Sequence, residues 1–383
     1  MEPEVRQRTR PTWAEVSLGA LQHNFHLVQQ HVGAGVAVCA VVKADAYGHG
    51  ARMCARALEA AGACWLSVTG PDEGDALRNA GIKARILLMT GFWRGEEDDV
   101  LSRDLTPAVW QLEQITLLQQ AALRRGVVYP VHLKVDTGMG RLGVPMEDLP
   151  AVCEALVASP NLRLEGVMTH LGASEIMEAM QGQKAYFEEA QAVLHSFGLY
   201  PELVHMANSG ATLGRPDTWK NFVRPGLLLY GYSPQLWRGG KVTDEVPPLA
   251  VKPVLEWKTR IISVKRAAVG QGLGYGRTFV TARASRIAAL PVGYADGLNR
   301  ALSNRGRVIV RGHYAPIVGM ISMDLTLVDV TDIPGVEAGD EVILLGRSGQ
   351  CAVDAVEHAA HCATVPYEIL CAISQRVPRK YVD

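Results

Sequence analysis

From Val36 to about Gly226 the chain alternates between two textures. Short runs rich in Val, Ile and Leu are each followed by a longer, Ala- and charge-rich segment. VAVCAVV gives way to RMCARALEAAG, and CWLSVT gives way to PDEGDALRNAG, whose early Pro and trailing Gly mark a helix. RILLMT, LTPAVW, VHLKVD, LRLEGVMTH, LVHMAN and the stretch around NFVRPG continue the apolar series. QLEQITLLQQAALRRG, MEDLPAVCEALVAS and residues 178–197 continue the helices. Strands alternating with helices predict a parallel sheet. About eight such units over roughly 200 residues favour a closed (β/α)8 barrel, while periodicity alone also admits a doubly wound sheet.

The texture changes again around residues 235–250. SPQLWRGGKVTDEVPPLAVKP is rich in Pro, Gly and polar residues and reads as a linker. Beyond it, VLEWKTRIISVKR, ASRIAALPV, GRVIVRG, APIVGM, LTLVDV and DEVILLG are short, β-branched and punctuated by Gly, Pro or Asp, the signature of an all-β module. The expected architecture is therefore α/β: an N-terminal (β/α)8 TIM-type barrel over residues 12–245, then a C-terminal all-β domain over 246–383. TWAEVSL (12–18) is an extra strand candidate, free to pair with the β domain.

A chain of 383 residues, 48% of them apolar and 20% charged, can bury a core for two domains. A formal net charge of −1 and the lack of any basic block argue against nucleic acid and anionic membranes as partners. The apolar runs fall far below the ~20 residues of a membrane span. MEPEVRQRTRPTW carries no apolar core of a secretory signal. Seven cysteines without CxxC spacing read as reduced thiols, so a cytoplasmic protein is expected.

On a parallel barrel the chemistry sits where strands end. The first run is followed by Lys43, and the fifth contributes Lys134, Asp136 and, in TGMGRLG, Arg141. The sixth gives His170, the seventh Asn208 and Ser209, and the eighth Arg224 and Gly226. Singly, each is an ordinary polar loop residue. Together they describe a cationic pocket with a nucleophilic amine, suited to an anionic ligand. A lysine at a dry barrel mouth loses hydration, which favours the neutral amine that attacks carbonyls; equally, its stem can snorkel along the rim. Ser209 either helps helix-start N–H groups hold a phosphate or simply caps the helix. Other features point away from chemistry. In VGQGLGYG, Tyr275 stands where a dinucleotide fingerprint needs its last Gly. EHAAHC offers two histidines without a further ligand set, so no metal is expected. DEGD and EEDD read as solvated charge runs.

AVVKADAYGHG closely resembles the pyridoxal-phosphate lysine motif of the alanine racemase family. HLKVDTGMGRLG, MTHLGAS, MANSGA, VRPGLLLYG, GLGYGRTF, PVGYADGLNR, GMISMDLTLVDV and VPYEILCAISQRVPRKY match family blocks in order, from about Trp13 to Val382. The resemblance implies a barrel plus a β domain and a homodimer with shared sites. It implies a pyridoxal 5'-phosphate enzyme that interconverts L- and D-alanine for cell-wall peptidoglycan. Lys43 would hold the cofactor and act as one base, with Tyr275 of the partner subunit as the opposite base. Tyr47, Ser209, Gly226, Leu227 and Tyr367 would contact the phosphate, with Asn208 beside them. Arg224 would face the pyridine nitrogen, and His170 would lie hydrogen-bonded between it and Tyr275. Arg141 would hold the cofactor phenolic oxygen and the substrate carboxylate; in some members the lysine matching Lys134 is carbamylated and braces that arginine. Met323 would offer its N–H to the carboxylate, near Asp324. Tyr294 and Arg300 would line the entrance. Racemisation takes a proton from one face and returns one to the other, which two opposed bases do directly.

The chain departs from the family pattern at Ser322, where many members carry cysteine, in THLGAS, and in WRGEEDD (93–99). Serine or a broader amino-acid range stays open as substrate, because an apolar pocket separates such side chains by only ~1–3 kcal/mol. An amino-acid decarboxylase is a further reading, opposed by Arg224. A non-catalytic pyridoxal-phosphate carrier is another, opposed by the β module.

Overall fold

The eight apolar runs form one sheet of eight parallel strands. They are Ala37–Val41, Trp65–Val68, Arg85–Leu88, Leu105–Val109, Tyr129–Lys134, Leu162–Met168, Leu203–His205 and Phe222–Val223 in the computed structural model. The structure describes residues 10–235 and 248–383, together with the backbone of two short strands at 237–238 and 241–242. The boundary expected at 245/246, most of the linker around it, and the segment before Arg10 lie outside the described residues.

The last strand pairs in parallel with the first, Ala37 opposite Phe222 and Val38 opposite Val223. Between the seventh strand and the eighth, the Val204 N–H donates to Asn221 Oδ1 (2.8 Å) and the Arg224 N–H to the Ala207 carbonyl (2.9 Å). The sheet thus comes round to a nearly closed barrel, as the sequence pattern predicts. Its strands are apolar almost throughout because a barrel strand is covered on both faces. Cys39, Trp65, Leu87 and Phe222 pack as one buried cluster. Leu87 and Phe222 each contribute about 1.5–3 kcal/mol by leaving water. The helix Pro71–Asn79 begins on Pro71 and is followed by Gly81 at φ 85°, and Leu112–Arg125 ends at a left-handed Gly126.

The Cα positions group into two compact units. One comprises Gly19–Ala46 and Ala51–Lys252; the other comprises the residues up to Leu18, Tyr47–Gly50 and Pro253–Asp383. In the second, a seven-stranded sheet runs His313–Pro316, Arg307–Val310, Glu341–Ser348, Leu255–Arg260, Thr12–Ser17, Arg379–Val382, with Cys351–Val353 added beside Glu341–Ser348. Thr12–Ser17 lies antiparallel to Leu255–Arg260 and parallel to Arg379–Val382. A three-stranded sheet follows the order Ser263–Ala267, Ser285–Leu290, Thr326–Asp329. Two short helices, Ala355–Cys362 and Pro366–Cys371, interrupt the β texture. Among the described residues no helix is long and apolar enough to cross a membrane.

Candidate active site

Because all eight barrel strands run the same way, their C-terminal ends share one rim. Lys43 comes two residues after the first strand, Lys134 ends the fifth, His170 comes two after the sixth, and Arg224 immediately follows the eighth. Lys134 is buried and its Nζ donates to the Met89 carbonyl at 2.9 Å. Burial, and after it the positive charges of Arg224, Arg141 and Lys43, bring its pKa down to about 8. Burial and the same cations, joined by Lys134, push His170 down to about 3 and keep its ring neutral. These mutual effects place four cationic side chains in one electrostatic neighbourhood.

That neighbourhood makes Lys134 a liability in the absence of an anion. Lys134→Met is expected to stabilise the ligand-free protein by about 2 kcal/mol at pH 7, since a pKa unit is worth 1.36 kcal/mol and one hydrogen bond is lost. Chemical denaturation at pH 7 measures it. The wild type should gain stability from about pH 8 up to its unfolded value near 10.4, because there the unfolded chain still binds a proton that the folded chain has released.

The segment after the first strand has an unusual backbone. Lys43–Gly48 forms one helical turn, yet Ala44, Asp45, Ala46 and Tyr47 all have φ between 51° and 54°. A left-handed turn of L-residues costs roughly 1–2 kcal/mol per residue. It is held at Ala46, whose N–H donates to the Val42 carbonyl (2.9 Å), and at Asp45, whose Oδ1 accepts from the Ala51 N–H (2.7 Å). It is also held at Ala44, whose N–H donates to Glu73 Oε1 at 2.6 Å.

The loop that carries Arg141 is wound around one carboxylate. Asp136 Oδ1 accepts from the N–H groups of Gly138, Met139 and Gly140 at 3.0, 3.0 and 3.1 Å. A two-way bridge, Asp136 N–H to Val144 O and Val144 N–H to Lys134 O, closes it. Gly143, at φ 131°, has no room for a Cβ, which would meet Asp136 N at 2.4 Å. Arg141 itself is exposed.

Asn208, not Ser209, caps the short helix Ser209–Gly214: its Oδ1 accepts from the Ala211 N–H. Ser209 is the first helical residue, and its Oγ accepts from the Gly226 N–H at 2.9 Å, with the Leu228 N–H at 3.5 Å. The hydroxyl and two backbone donors are thereby gathered at one point, next to Arg224.

Arg224 is fully enclosed, and burial lowers its pKa to about 10, so it is still charged at neutral pH. Nη2 donates to the Thr169 carbonyl (2.7 Å) and the Met206 carbonyl (3.3 Å), and Nη1 donates to His205 Nδ1 (2.8 Å). The imidazole it meets at Nη1 is that of His205, which ends the adjacent strand. A guanidinium only donates, so His205 must carry its proton on Nε2. That nitrogen faces His132 Nδ1 at 2.9 Å, which leaves the His132 proton on Nε2, 3.4 Å from Glu165 Oε2. The last contact is long and electrostatic. Burial lowers both histidines' pKa values and keeps them neutral. The chain of donors runs one way, from a buried cation to a carboxylate that also accepts from Arg85 (2.8 and 2.6 Å) and Arg163 (2.8 Å). Gly166 pairs with His132 on the neighbouring strand, and a Cβ there would lie 2.6 Å from Nδ1. The sequence reading missed His205, His132 and Glu165; a histidine in the middle of the apolar run VHLKVD was the available signal.

In the second unit, Tyr275 sits at the tip of the hairpin Gly272–Leu273/Phe279–Val280, flanked by Gly274 and Gly276, both at φ 67°, and is 74% exposed. Met323 is 52% exposed. Its loop is fixed by backbone bonds from Tyr294 N–H to Ser322 O and from Ala295 N–H to Met323 O. The buried Asp296 anchors this region, accepting both Arg10 Nη groups at 2.7 Å and the Gly293 N–H at 2.9 Å. Asp324 accepts from Arg376 at 2.6 Å. Ser322 Oγ donates to the Leu325 carbonyl and accepts the Leu325 N–H, so the serine closes this turn. Tyr294 and Arg300 are exposed, and the Tyr47 and Tyr367 rings lie 5.8 Å apart.

An amine at a strand end, a donor cluster beside a locked arginine, and a β domain after the barrel define a class of two-domain barrel proteins with a cationic, donor-rich rim. Family models identify which one. The alanine racemase N-terminal domain matches residues 16–234 and the alanine racemase C-terminal domain matches residues 254–381. An alanine racemase of Halothermothrix orenii is 41% identical over 375 residues, 97% of each chain. The crystal structure of alanine racemase from D-cycloserine-producing Streptomyces lavendulae is 33% identical and covers 98% of each chain at a TM-score of 0.90. That of Bartonella henselae alanine racemase with covalently bound pyridoxal phosphate is 31% identical, covers 97% of this chain and 99% of that one, and has a TM-score of 0.86. The chain belongs to the alanine racemase family, a family of isomerases.

Proposed function

We propose that this protein interconverts L- and D-alanine with pyridoxal 5'-phosphate as cofactor. The observation that carries the reading is the donor set at the barrel rim. Lys43 supplies the amine that an aldehyde requires. The Ser209 hydroxyl and the Gly226 N–H, 2.9 Å apart, suit a phosphate, with Leu227 between Gly226 and the Leu228 donor. Arg224, fixed by three acceptors, suits an aromatic nitrogen that is to stay unprotonated. The residues therefore fit the group. When bound, the cofactor supplies an electron sink that makes an amino acid's α-proton removable.

The chain's own residues do the rest. Lys43 Nζ takes or gives the α-proton on one face, and the phenolic oxygen of Tyr275, from a second copy of the chain in a homodimer, does so on the other. His170, held neutral, is a fit relay for the phenol. Arg141 and the Met323 N–H, near Asp324, receive the substrate carboxylate; a carbamylated Lys134 would brace Arg141, because the carbamate replaces a repelling positive charge with a negative one that accepts hydrogen bonds. On the family resemblance, Tyr47 and Tyr367 add phosphate contacts, Asn208 supports Ser209, and Tyr294 and Arg300 line the way in. A cytoplasmic enzyme that supplies D-alanine for peptidoglycan is the setting this implies.

The test is to incubate the protein and cofactor with single enantiomers of alanine and serine in D2O. Either enantiomer of alanine should approach an equal mixture, with deuterium entering at Cα in both. Carbon dioxide release, or racemisation of serine at the rate of alanine, would overturn the assignment.

A further inference from the structure

The segment DEGD reads from sequence as a solvated charge run, but Glu73 within it is half-buried and spends both carboxylate oxygens on backbone donors. Oε2 accepts from the Thr69 N–H at 2.7 Å, a local bond at the start of its own helix Pro71–Asn79. Oε1 accepts from the Ala44 N–H at 2.6 Å, 29 residues away and directly after Lys43. A helix-starting glutamate needs only the first of these. The second falls on the first residue of the left-handed turn, at φ 51°, a conformation that alanine does not keep without help.

We propose that Glu73 is a positioning residue for Lys43: its carboxylate ties the end of the second barrel strand to the left-handed turn and so fixes the direction in which the amine leaves the first. This rests on the reading that Lys43 carries the cofactor. A carboxylate suits the task because both its oxygens accept. Glutamine can satisfy one N–H and must present its NH2 to the other. Glu73 does not touch substrate or cofactor in this scheme; it acts through the backbone of Ala44.

The experiment compares wild type, Glu73→Gln, Glu73→Ala and Asp72→Asn. The last removes a charge from the same helix turn without touching the Ala44 bond. In the cofactor-free proteins, hydrogen exchange at the amide of Ala44 should quicken at least tenfold in both Glu73 variants and stay unchanged in Asp72→Asn. Affinity for pyridoxal phosphate, followed by its visible absorbance, should fall about tenfold in Glu73→Gln and further in Glu73→Ala. Borohydride reduction and peptide mapping report where the cofactor is attached. Wild type labelled elsewhere than Lys43 overturns the cofactor reading itself. Wild type labelled at Lys43, with exchange and affinity in the Glu73 variants matching it, overturns the role of Glu73 alone. A loss of global stability with unchanged affinity also overturns it, since a helix cap alone would give that result.

Discussion

Mixing Lys43→Ala and Tyr275→Ala proteins, each inactive alone, is expected to restore about one quarter of the wild-type specific activity once subunits have exchanged. On the proposed mechanism each single variant loses a proton-transfer group, worth 10²–10⁴-fold, and Lys43→Ala also loses the proposed attachment point. In a twofold dimer whose sites each take Lys43 from one copy and Tyr275 from the other, half of a randomised mixture is mixed dimer. Each mixed dimer has one site with both defects and one with neither. Half of the dimers times half of the sites gives the quarter. Tyr275→Phe in place of Tyr275→Ala should give the same figure, because the missing element is the proton-carrying oxygen and not the ring. The exposure of Tyr275, on a hairpin tip with glycines on either side, suits a side chain meant for another copy. A mixture that is no more active than its components would show that the two residues serve one and the same chain, or no common site.

The second large effect concerns a residue that touches no ligand. Glu165→Leu is expected to destabilise the protein by about 3 kcal/mol, the lower end of the 3–5 kcal/mol for breaking a buried ion pair. The lower end applies because Arg85 and Arg163 are each more than one-third exposed and can turn to water. The buried His132 has no such escape, and its Nε2 proton loses the carboxylate charge 3.4 Å away. Glu165→Gln should cost less, since its carbonyl still accepts. The near contact of His132, the hydrogen bonds from Arg85 and Arg163, and the charge of Arg85 hold the Glu165 carboxyl well below the usual carboxylate range against the opposing effect of burial. The sign follows from that depression. The stabilisation is complete above the unfolded value near 4.3 and is lost as pH falls below it towards the folded value. Wild type should therefore lose stability below about pH 4 more steeply than Glu165→Gln, as urea unfolding across pH 3–7 would show. Nitrogen NMR of the imidazoles adds a second readout. Both His132 and His205 should be Nε2-protonated in wild type, and Glu165→Leu should disturb His132 first. Equal acid profiles for wild type and Glu165→Gln would remove the carboxylate from this account.

The barrel was legible because its signal is repetitive. A strand covered on both faces must be apolar throughout, and eight such runs separated by helical stretches leave little else to build. The rim residues were legible for a related reason. Once the strands are known, whatever follows Val41, Lys134, Met168, His205 and Val223 is placed by direction alone. The C-terminal strands were equally plain, although two short helices lie among them. Other features were not legible. The left-handed turn of Ala44–Tyr47 carries no glycine until Gly48, so no residue type announces it. Glu73 looked like a surface charge because its neighbours in sequence are charged. His205 and His132 looked like parts of apolar runs. Each depends on a partner 29 to 73 residues distant, which a local pattern cannot contain.

By itself, then, the sequence determined the periodicities: which segments are strands, which are helices, where the chemistry-bearing residues fall on them, and the family whose blocks they match. Those follow from local propensity and from the covering of apolar faces, which are properties of short stretches. The tertiary structure alone decided the pairing of Thr12–Ser17 with Leu255–Arg260 and Arg379–Val382, the role of Asn208 as cap, and the tautomers along the path from Arg224 to Glu165. It also decided the two-armed use of Glu73. In every one of these a polar group removed from water must find its complement wherever the fold brings one within about 3 Å, and that search runs through space, not along the chain.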